Sequence, residues 1–376
     1  MTERRPYDVV IVGAGIVGTA VALACAQEHL TIAIVEPDVV GGGATAAGMG
    51  HIVVMDDSEA QFSLTHYSQQ LWQTIAPELP RDVEYMPCGT IWVAVDQQEM
   101  QEVRRKHEYY GSRGVTTEIL DEPQLREAEA GLRPGLAGGL LVPGDSVIYS
   151  PYAARFFLQR AQAGGADLYS GVRAVKLRQH DVVLSDGRRL ATTFIVNAAG
   201  TWAREFTPGL EVRKRKGHLV ITDRYPGHVR HQLVELGYLK SAHSLTAESV
   251  AFNVQPRMTG QLLIGSSRQF GAESSEVDRR ILCHMLQRAF QYLPGLSRMS
   301  AIRAWAGFRA ATPDKLPLIG KSPAQDNVYL ATGHEGLGIT TSLGTARLLV
   351  DQLLNRRSQI PVEPYLPTRH MEPAHA

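Results

Sequence analysis

The stretch Asp8-Val9-Val10-Ile11-Val12-Gly13-Ala14-Gly15-Ile16-Val17-Gly18, read with Leu30-Thr31-Ile32-Ala33-Ile34-Val35-Glu36 downstream, decides the fold. An apolar strand runs into Gly-x-Gly-x-x-Gly, a helix follows, and a second apolar strand ends on an acid. This is the dinucleotide-binding fingerprint in context. Gly13 permits the tight strand-to-helix turn, Gly15 lets backbone approach a pyrophosphate, and Gly18 lets helix and strand pack closely. The helix N-terminus presents N–H groups and a positive dipole end to the phosphates. Glu36 stands where a ribose hydroxyl needs an acceptor. The candidate cofactor contacts in this unit are Gly13, Gly15, Ile16, Val17, Gly18, Glu36 and Pro37.

Composition bounds the rest. A chain of 376 residues is long enough for two domains. Lys+Arg and Asp+Glu each number 38, so the formal net charge is zero and nothing marks a nucleic-acid or anionic-membrane partner. The single basic run, Arg213-Lys214-Arg215-Lys216, reads as a solvated strand or turn. The three cysteines, Cys25, Cys88 and Cys283, are far apart; they make no metal or iron–sulfur site by themselves and fit a reducing cytoplasm. Arg4-Arg5 ahead of an apolar run to Ala24-Cys25-Ala26 has the outline of a signal peptide. Asp8 heads that run, however, and cleavage would delete the glycine motif. No run approaches the roughly 18 apolar residues of a membrane span. The expected location is cytoplasmic, at most peripheral to the inner membrane.

Along the chain, helix-like patterns cover Ser58 to Ile75, Glu99 to Gly111 (an exposed helix), Tyr152 to Gly164 and Ser275 to Tyr292. Gly41 to Gly48 is too small in composition to supply core and is expected to lie against something flat or charged. Val182-Val183-Leu184 with Asp186-Gly187 signals a hairpin. Phe194 to Gly200 is a buried strand ending in small residues, and Val328 to Gly333 is a further one, followed by Gly336 to Thr340 and a helix through Leu354. Between them, from Val212 to Ile302, β-like segments recur. The fold expected is α/β, a Rossmann-like nucleotide-binding domain with an inserted antiparallel-sheet substrate domain. Residues 1–82, 146–212 and 303–376 are assigned to the first and 83–145 and 213–302 to the second. The Pro-rich tail from Pro361, with His370 and His375, reads as poorly ordered.

Strands thus end in glycine-containing turns after Val12, after Ala198 and after Ala331. An NAD dehydrogenase explains the first; the others imply a cofactor that spans the domain. The turn at Gly336 to Thr340 opens a helix whose N–H groups can stabilise negative charge, as on the N1–C2=O edge of a reduced flavin. FAD is therefore favoured over NAD.

The chain resembles the D-amino-acid oxidase family of FAD enzymes, in the branch with glycine oxidase and sarcosine oxidase. The likeness covers almost the whole chain. It is carried by the fingerprint with Glu36; by Ala44-Thr45-Ala46-Ala47-Gly48-Met49; by Val196-Asn197-Ala198-Ala199-Gly200-Thr201-Trp202; by Ala306-Gly307-Phe308-Arg309; by Thr312-Pro313-Asp314; and by Gly333-His334-Glu335-Gly336-Leu337-Gly338-Ile339-Thr340. The resemblance implies cofactor contacts at Gly43, Ala44, Thr45, Ala47, Gly48, Met49, Val172, Ala198, Ala199, Gly200, Trp202, Gly307 and Arg309, and along Gly333, His334, Glu335, Gly336, Leu337, Gly338, Ile339 and Thr340. It also implies that Arg309 grips a substrate carboxylate. A planar, permanently charged, bidentate partner suits that task. The alternative for Arg309 is a structural arginine near a domain junction. Some relatives attach flavin through a Cys shortly before Thr-Pro-Asp; Gly307-Phe308-Arg309-Ala310-Ala311 has none, so non-covalent FAD is expected, with His51 the alternative point of attachment.

Hydride transfer from a C–N bond demands orientation and a neutral amine more than a dedicated base. Arg309 orients; His51, Met49, Tyr238 and His334 are candidates for pocket walls or hydrogen bonds. Tyr238 is a core or surface tyrosine in the alternative reading, and His334 and Glu335 then merely flank a turn whose backbone does the binding. The last motif is similar to opine oxidases, cyanide synthase flavin subunits and D-hydroxyproline dehydrogenases. That implies a D-amino or secondary-amine acid, D-hydroxyproline first, with electrons passed to a partner subunit or respiratory acceptor. A glycine- or sarcosine-type oxidase using oxygen is the rival, and a flavin subunit of a multi-subunit complex, silent alone, is a third reading. No metal site is expected.

Overall fold

The computed structural model describes residues 6–237 and 248–369. Tyr238, His370 and His375 lie outside the described residues.

Why the first strand has no polar alternation is plain from what covers it. Tyr7–Val12 is the middle of a sheet ordered Leu318–Lys321, Val328–Thr332, Arg189–Asn197, Tyr7–Val12, Ile32–Glu36, Asp167–Ser170. All neighbours are parallel except the Leu318–Lys321 edge. Such a sheet buries both faces, so its strands read as continuous apolar runs. Val9 and Ile11 point into a core with helices Ile16–Gln27, Ser150–Ala163 and Gly338–Leu353. Val10 and Val12 point into the opposite core, closed by the hairpin strands Ala174–Leu177 and Asp181–Leu184. The expected hairpin turn at Asp186-Gly187 is there.

Gly13 takes φ +106°, and a Cβ would lie 2.6 Å from the Ala198 carbonyl oxygen. A Cβ on Gly18 would lie 2.0 Å from the Gly13 carbonyl oxygen. The fingerprint glycines are therefore required by close packing of turn, helix and the neighbouring strand.

The second sheet is ordered Ala301–Ala311, Arg213–Arg224, Gln261–Phe270, Glu248–Pro256, Gln232–Glu235, Thr90–Ala94, Gly138–Val142, Glu118–Asp121. It is antiparallel throughout except where Gln232–Glu235 runs parallel to Thr90–Ala94. Strand Ala301–Ala311 crosses the expected boundary at 303 without a break, paired along Arg213–Thr222. A two-stranded ladder of His51–Ile52 and Ser146–Val147 lies beside the sheets.

Three local expectations need correction. The basic run is solvated only in its first half: it opens strand Arg213–Arg224, sandwiched between two others, with Arg213 exposed and Lys214 partly so, but Arg215 and Lys216 are each 5% exposed. The helix Gln97–Gly111 is exposed on one side only. Met100, Val103, Lys106 and Tyr110 are buried at helical spacing, Lys106 as an ion pair with Asp56. The tail is ordered at least to Arg369, because the Tyr365 hydroxyl donates to the Ala60 carbonyl at 2.6 Å and Arg369 pairs with Asp314 at 2.6 Å.

Candidate active site

A cavity of about 690 Å3 opens where the carboxyl ends of the first-sheet strands face the second sheet. This is where ligands sit in open α/β sheets. Its first-sheet side is mostly main chain. Helices Ile16–Gln27, Gly43–Ala47 and Gly338–Leu353 all begin at the cavity, and none is capped by the side chain of its N-cap residue (Gly15, Gly42 and Leu337). Thr45 Oγ1 accepts the Ile16 N–H at 3.0 Å. The Glu36 carboxylate accepts the Ala14 N–H at 2.8 Å and the Asp38 N–H at 3.0 Å, which holds it at the end of its strand. Three positive helix ends and one fixed acid around an elongated apolar space fit a dinucleotide with a pyrophosphate and a ribose.

The first-sheet and linking residues expected to touch cofactor come together here. Gly13, Gly15, Ile16, Val17, Glu36, Pro37, Gly43, Ala44, Thr45, Ala47, Gly48, Met49, Ala198, Ala199, Gly200 and Trp202 line the cavity. So do Gly307, Arg309, Gly333, His334, Glu335, Gly336, Leu337, Gly338 and Ile339. Gly18, Val172 and Thr340 do not. Gly18 packs under the first turn. Val172 sits against the hairpin-side core, its N–H on the Glu36 carbonyl at 3.4 Å. The Thr340 hydroxyl donates to the His51 carbonyl at 2.9 Å and its main-chain carbonyl accepts from Trp72 Nε1 at 3.0 Å, so it fixes the backbone of His51.

The substrate end is built from side chains. Arg309 Nη1 donates to the Ser267 carbonyl at 3.0 Å. Its guanidinium lies over Gly217, where a Cβ would come within 2.3 Å of Nη1. Gly217 thus makes room for the cation, while Gly307, paired with it on the neighbouring strand, makes room for Ala47, whose Cβ would lie 2.3 Å from a Cβ there. His51 is half-buried, and its Nδ1, itself buried, has no hydrogen-bond partner. Burial, then the Arg309 charge, push its pKa down to about 4 against the backbone hydrogen bond at Gly336, so the ring is neutral at neutral pH. His334 is also buried and pushed down to about 3 by desolvation, with Nε2 and the Thr345 hydroxyl 3.0 Å apart. That bond commits its ring to the helix behind the turn. Glu335 adopts φ +54°, donates its N–H to the Ala310 carbonyl at 2.9 Å, and pairs with Arg215 at 2.6 Å. The turn is thereby bolted to the second sheet.

The residues missed by sequence reasoning include Asp57, Gln61, Trp92, Arg215, Gln232, Asn253, Ser266, Arg268 and Lys315, all on the cavity wall. Only Arg215 carried a signal, the basic run, and charge alone did not show that its strand is interior.

Fold and site together define a dinucleotide-type flavoprotein architecture. The family described as FAD dependent oxidoreductase (DAO) matches residues 8–352, and the chain belongs to it; FAD is its cofactor. Glycine oxidase of Geobacillus kaustophilus (strain HTA426) is 27% identical over 386 residues, covering 99% of this chain and 98% of that protein. Hydrogen cyanide synthase subunit HcnC of Pseudomonas aeruginosa is 26% identical, covering 99% of this chain and 98% of that protein. The crystal structure of glycine oxidase from Geobacillus kaustophilus superposes with a TM-score of 0.86 at 25% identity, over 97% of this chain and 99% of that one. The chain is an FAD-dependent oxidoreductase acting on amino compounds, in the glycine oxidase-like branch. No helix among the described residues is long and apolar enough to cross a membrane.

Proposed function

We propose that this protein oxidises the C–N bond of a small amino or secondary-amine acid whose carboxylate is held by Arg309. The carrying observation is the position of that guanidinium: on the cavity wall, anchored to the Ser267 carbonyl, beside neutral His51. FAD, when bound, supplies the two-electron acceptor. The chain's own residues do the rest. Arg309 fixes the carboxylate bidentately and so orients the α-carbon. The cationic surroundings of Arg309 and Arg215 favour the neutral amine over the ammonium. His51, with Nδ1 unpartnered, can accept a hydrogen bond from that amine. The cavity-lining residues include no cysteine, which supports non-covalent FAD.

Relatives named glycine oxidase favour a glycine-type reaction with oxygen as acceptor over the D-hydroxyproline-type dehydrogenase expected at first. The second reading keeps support from the relative named as a subunit, HcnC, because a subunit has partners to which electrons can pass. Anaerobic titration with glycine, sarcosine, D-alanine, D-proline and D-hydroxyproline tests the proposal. One or more should bleach the flavin band near about 450 nm; bleaching by none overturns it. Reoxidation by air, compared with an artificial dye, then separates oxidase from dehydrogenase.

A further inference from the structure

The second sheet turns a polar wall toward the cavity that amino-acid oxidation by itself does not need. Val234 is paired with Trp92 on one side and with Asn253 on the other, so these three residues form one row across three strands. Gln232 lies two positions before Val234 on the same strand, hence on the same face. Asn253 is paired onward with Gly265, the neighbour of Ser266. Trp92, Gln232, Asn253 and Ser266 all line the cavity, and none is more than 4% exposed. Yet Trp92 Nε1, Gln232 Oε1, Asn253 Oδ1 and Ser266 Oγ have no hydrogen-bond partner. Buried polar atoms are nearly always paired, and four on one wall call for an occupant.

The wall adjoins the reacting end. Ser267, next to Ser266, supplies the carbonyl that anchors Arg309. Gly265 is close enough to Met49 that a Cβ would lie 3.0 Å from its sulfur. The chemistry of the four atoms is one N–H donor, two amide oxygens and one hydroxyl, with no charge among them. Such a set pairs with a group that both donates and accepts. It does not match an alkyl side chain, and the four atoms themselves bring no cation for a second carboxylate.

We propose that this wall is a subsite for the substrate's side chain, selecting amino or imino acids that carry an uncharged hydroxyl or carboxamide. This rests on the reading that Arg309 holds the carboxylate, and it departs from glycine itself as substrate, which has no side chain to reach the wall. The test on the holoenzyme compares matched pairs: D-4-hydroxyproline against D-proline, D-serine against D-alanine. The hydroxylated member should have kcat/KM higher by a factor of about ten or more, because its absence leaves the wall unpaired. Asn253→Leu and Gln232→Leu should each shrink that ratio by slowing only the hydroxylated member. Equal kcat/KM for both members of each pair in the unaltered protein would overturn the proposal. If no amino acid reduces the flavin, the subsite is still read by binding. Titration with 3-hydroxycyclopentanecarboxylate and cyclopentanecarboxylate, followed by the flavin spectrum, should show tighter binding of the hydroxylated acid. Equal binding, or none, overturns it.

Discussion

The two sheets meet one cavity with different parts of the chain. The first brings main chain: glycine turns after Val12, Ala198 and Ala331, and helix starts without N-cap side chains. The second brings side chains: Arg215, Arg309, Trp92, Gln232 and Asn253, held in a ladder of paired strands. A site made of backbone resists added atoms and is indifferent to most side-chain chemistry. A site made of side chains is sensitive to charge and hydrogen bonding at single positions. That contrast ranks the substitutions that should matter.

The largest effect is expected beneath the side-chain wall. Lys106 lies buried against the Trp92 ring, 4.8 Å from its centroid, and pairs with Asp56. Burial pushes the Asp56 carboxyl up, but Lys106 and then Arg105 outweigh it and hold its pKa below the usual value. The pair therefore stabilises the fold above the ordinary carboxylate range and weakens as pH falls into it. Lys106→Met leaves the Asp56 charge with the half-exposed Arg105 and the Tyr110 hydroxyl and should cost about 3–5 kcal/mol in chemical denaturation at pH 7. Asp56→Asn in the same chain should recover much of the loss. Additive losses in the double variant would mean that the two charges do not act as a pair.

Arg309→Lys comes next, with a loss in kcat/KM of about 1.5–3 kcal/mol, the range for charged hydrogen bonds. FAD content should be unchanged, since the change touches the side-chain half of the cavity. Unaltered kcat/KM would place the carboxylate elsewhere.

The backbone half yields the opposite pattern at His334. Its buried ring has a pKa pushed down to about 3 from an ordinary 6.5. The unfolded chain takes up a proton below pH 6.5 and the folded one does not, so stability present above 6.5 is lost as pH falls. The slope is about 1.4 kcal/mol per pH unit, which amounts to about 2.7 kcal/mol by pH 4.5. His334→Gln should flatten denaturation midpoints between those pH values. Because the ring is committed to Thr345, kcat/KM at neutral pH should stay within about twofold. A large loss of activity with FAD retained would show a side chain doing chemistry on the first sheet, and the contrast would fail.

The same contrast explains what was legible in the sequence. Gly13 and Gly18 could be read because a turn with atoms 2.0–2.6 Å from a would-be Cβ admits one residue type. Arg309 was found only through its surrounding Gly-Phe-Arg motif. Trp92, Gln232 and Asn253 lie on three strands brought together by pairing between distant segments, and no local pattern encodes that row. Arg215 was visible as charge but read as solvated, because a strand's interior position follows from its neighbours. Thr340, expected to touch the cofactor, does not line the cavity and serves His51 from behind the wall.

The smallest effect concerns the helix that serves both halves. Glu59–Ile75 packs on Gly338–Leu353, where a Cβ on Gly344 would meet Ser68 Oγ at 2.2 Å, and it carries Gln61 to the cavity. Ser58 caps it by accepting the Gln61 N–H at 3.1 Å. Ser58→Ala should cost about 1 kcal/mol of stability and Ser58→Gly only a few tenths, because glycine leaves the cap reachable by water. The cap bond ends on the main chain of Gln61, not on the carbonyl of its side chain. Stability should therefore fall while the preference between hydroxylated and plain substrates stays put. A change in that preference in Ser58→Ala would mean that Gln61, and with it a helix seated on the first-sheet side, contributes to the side-chain wall.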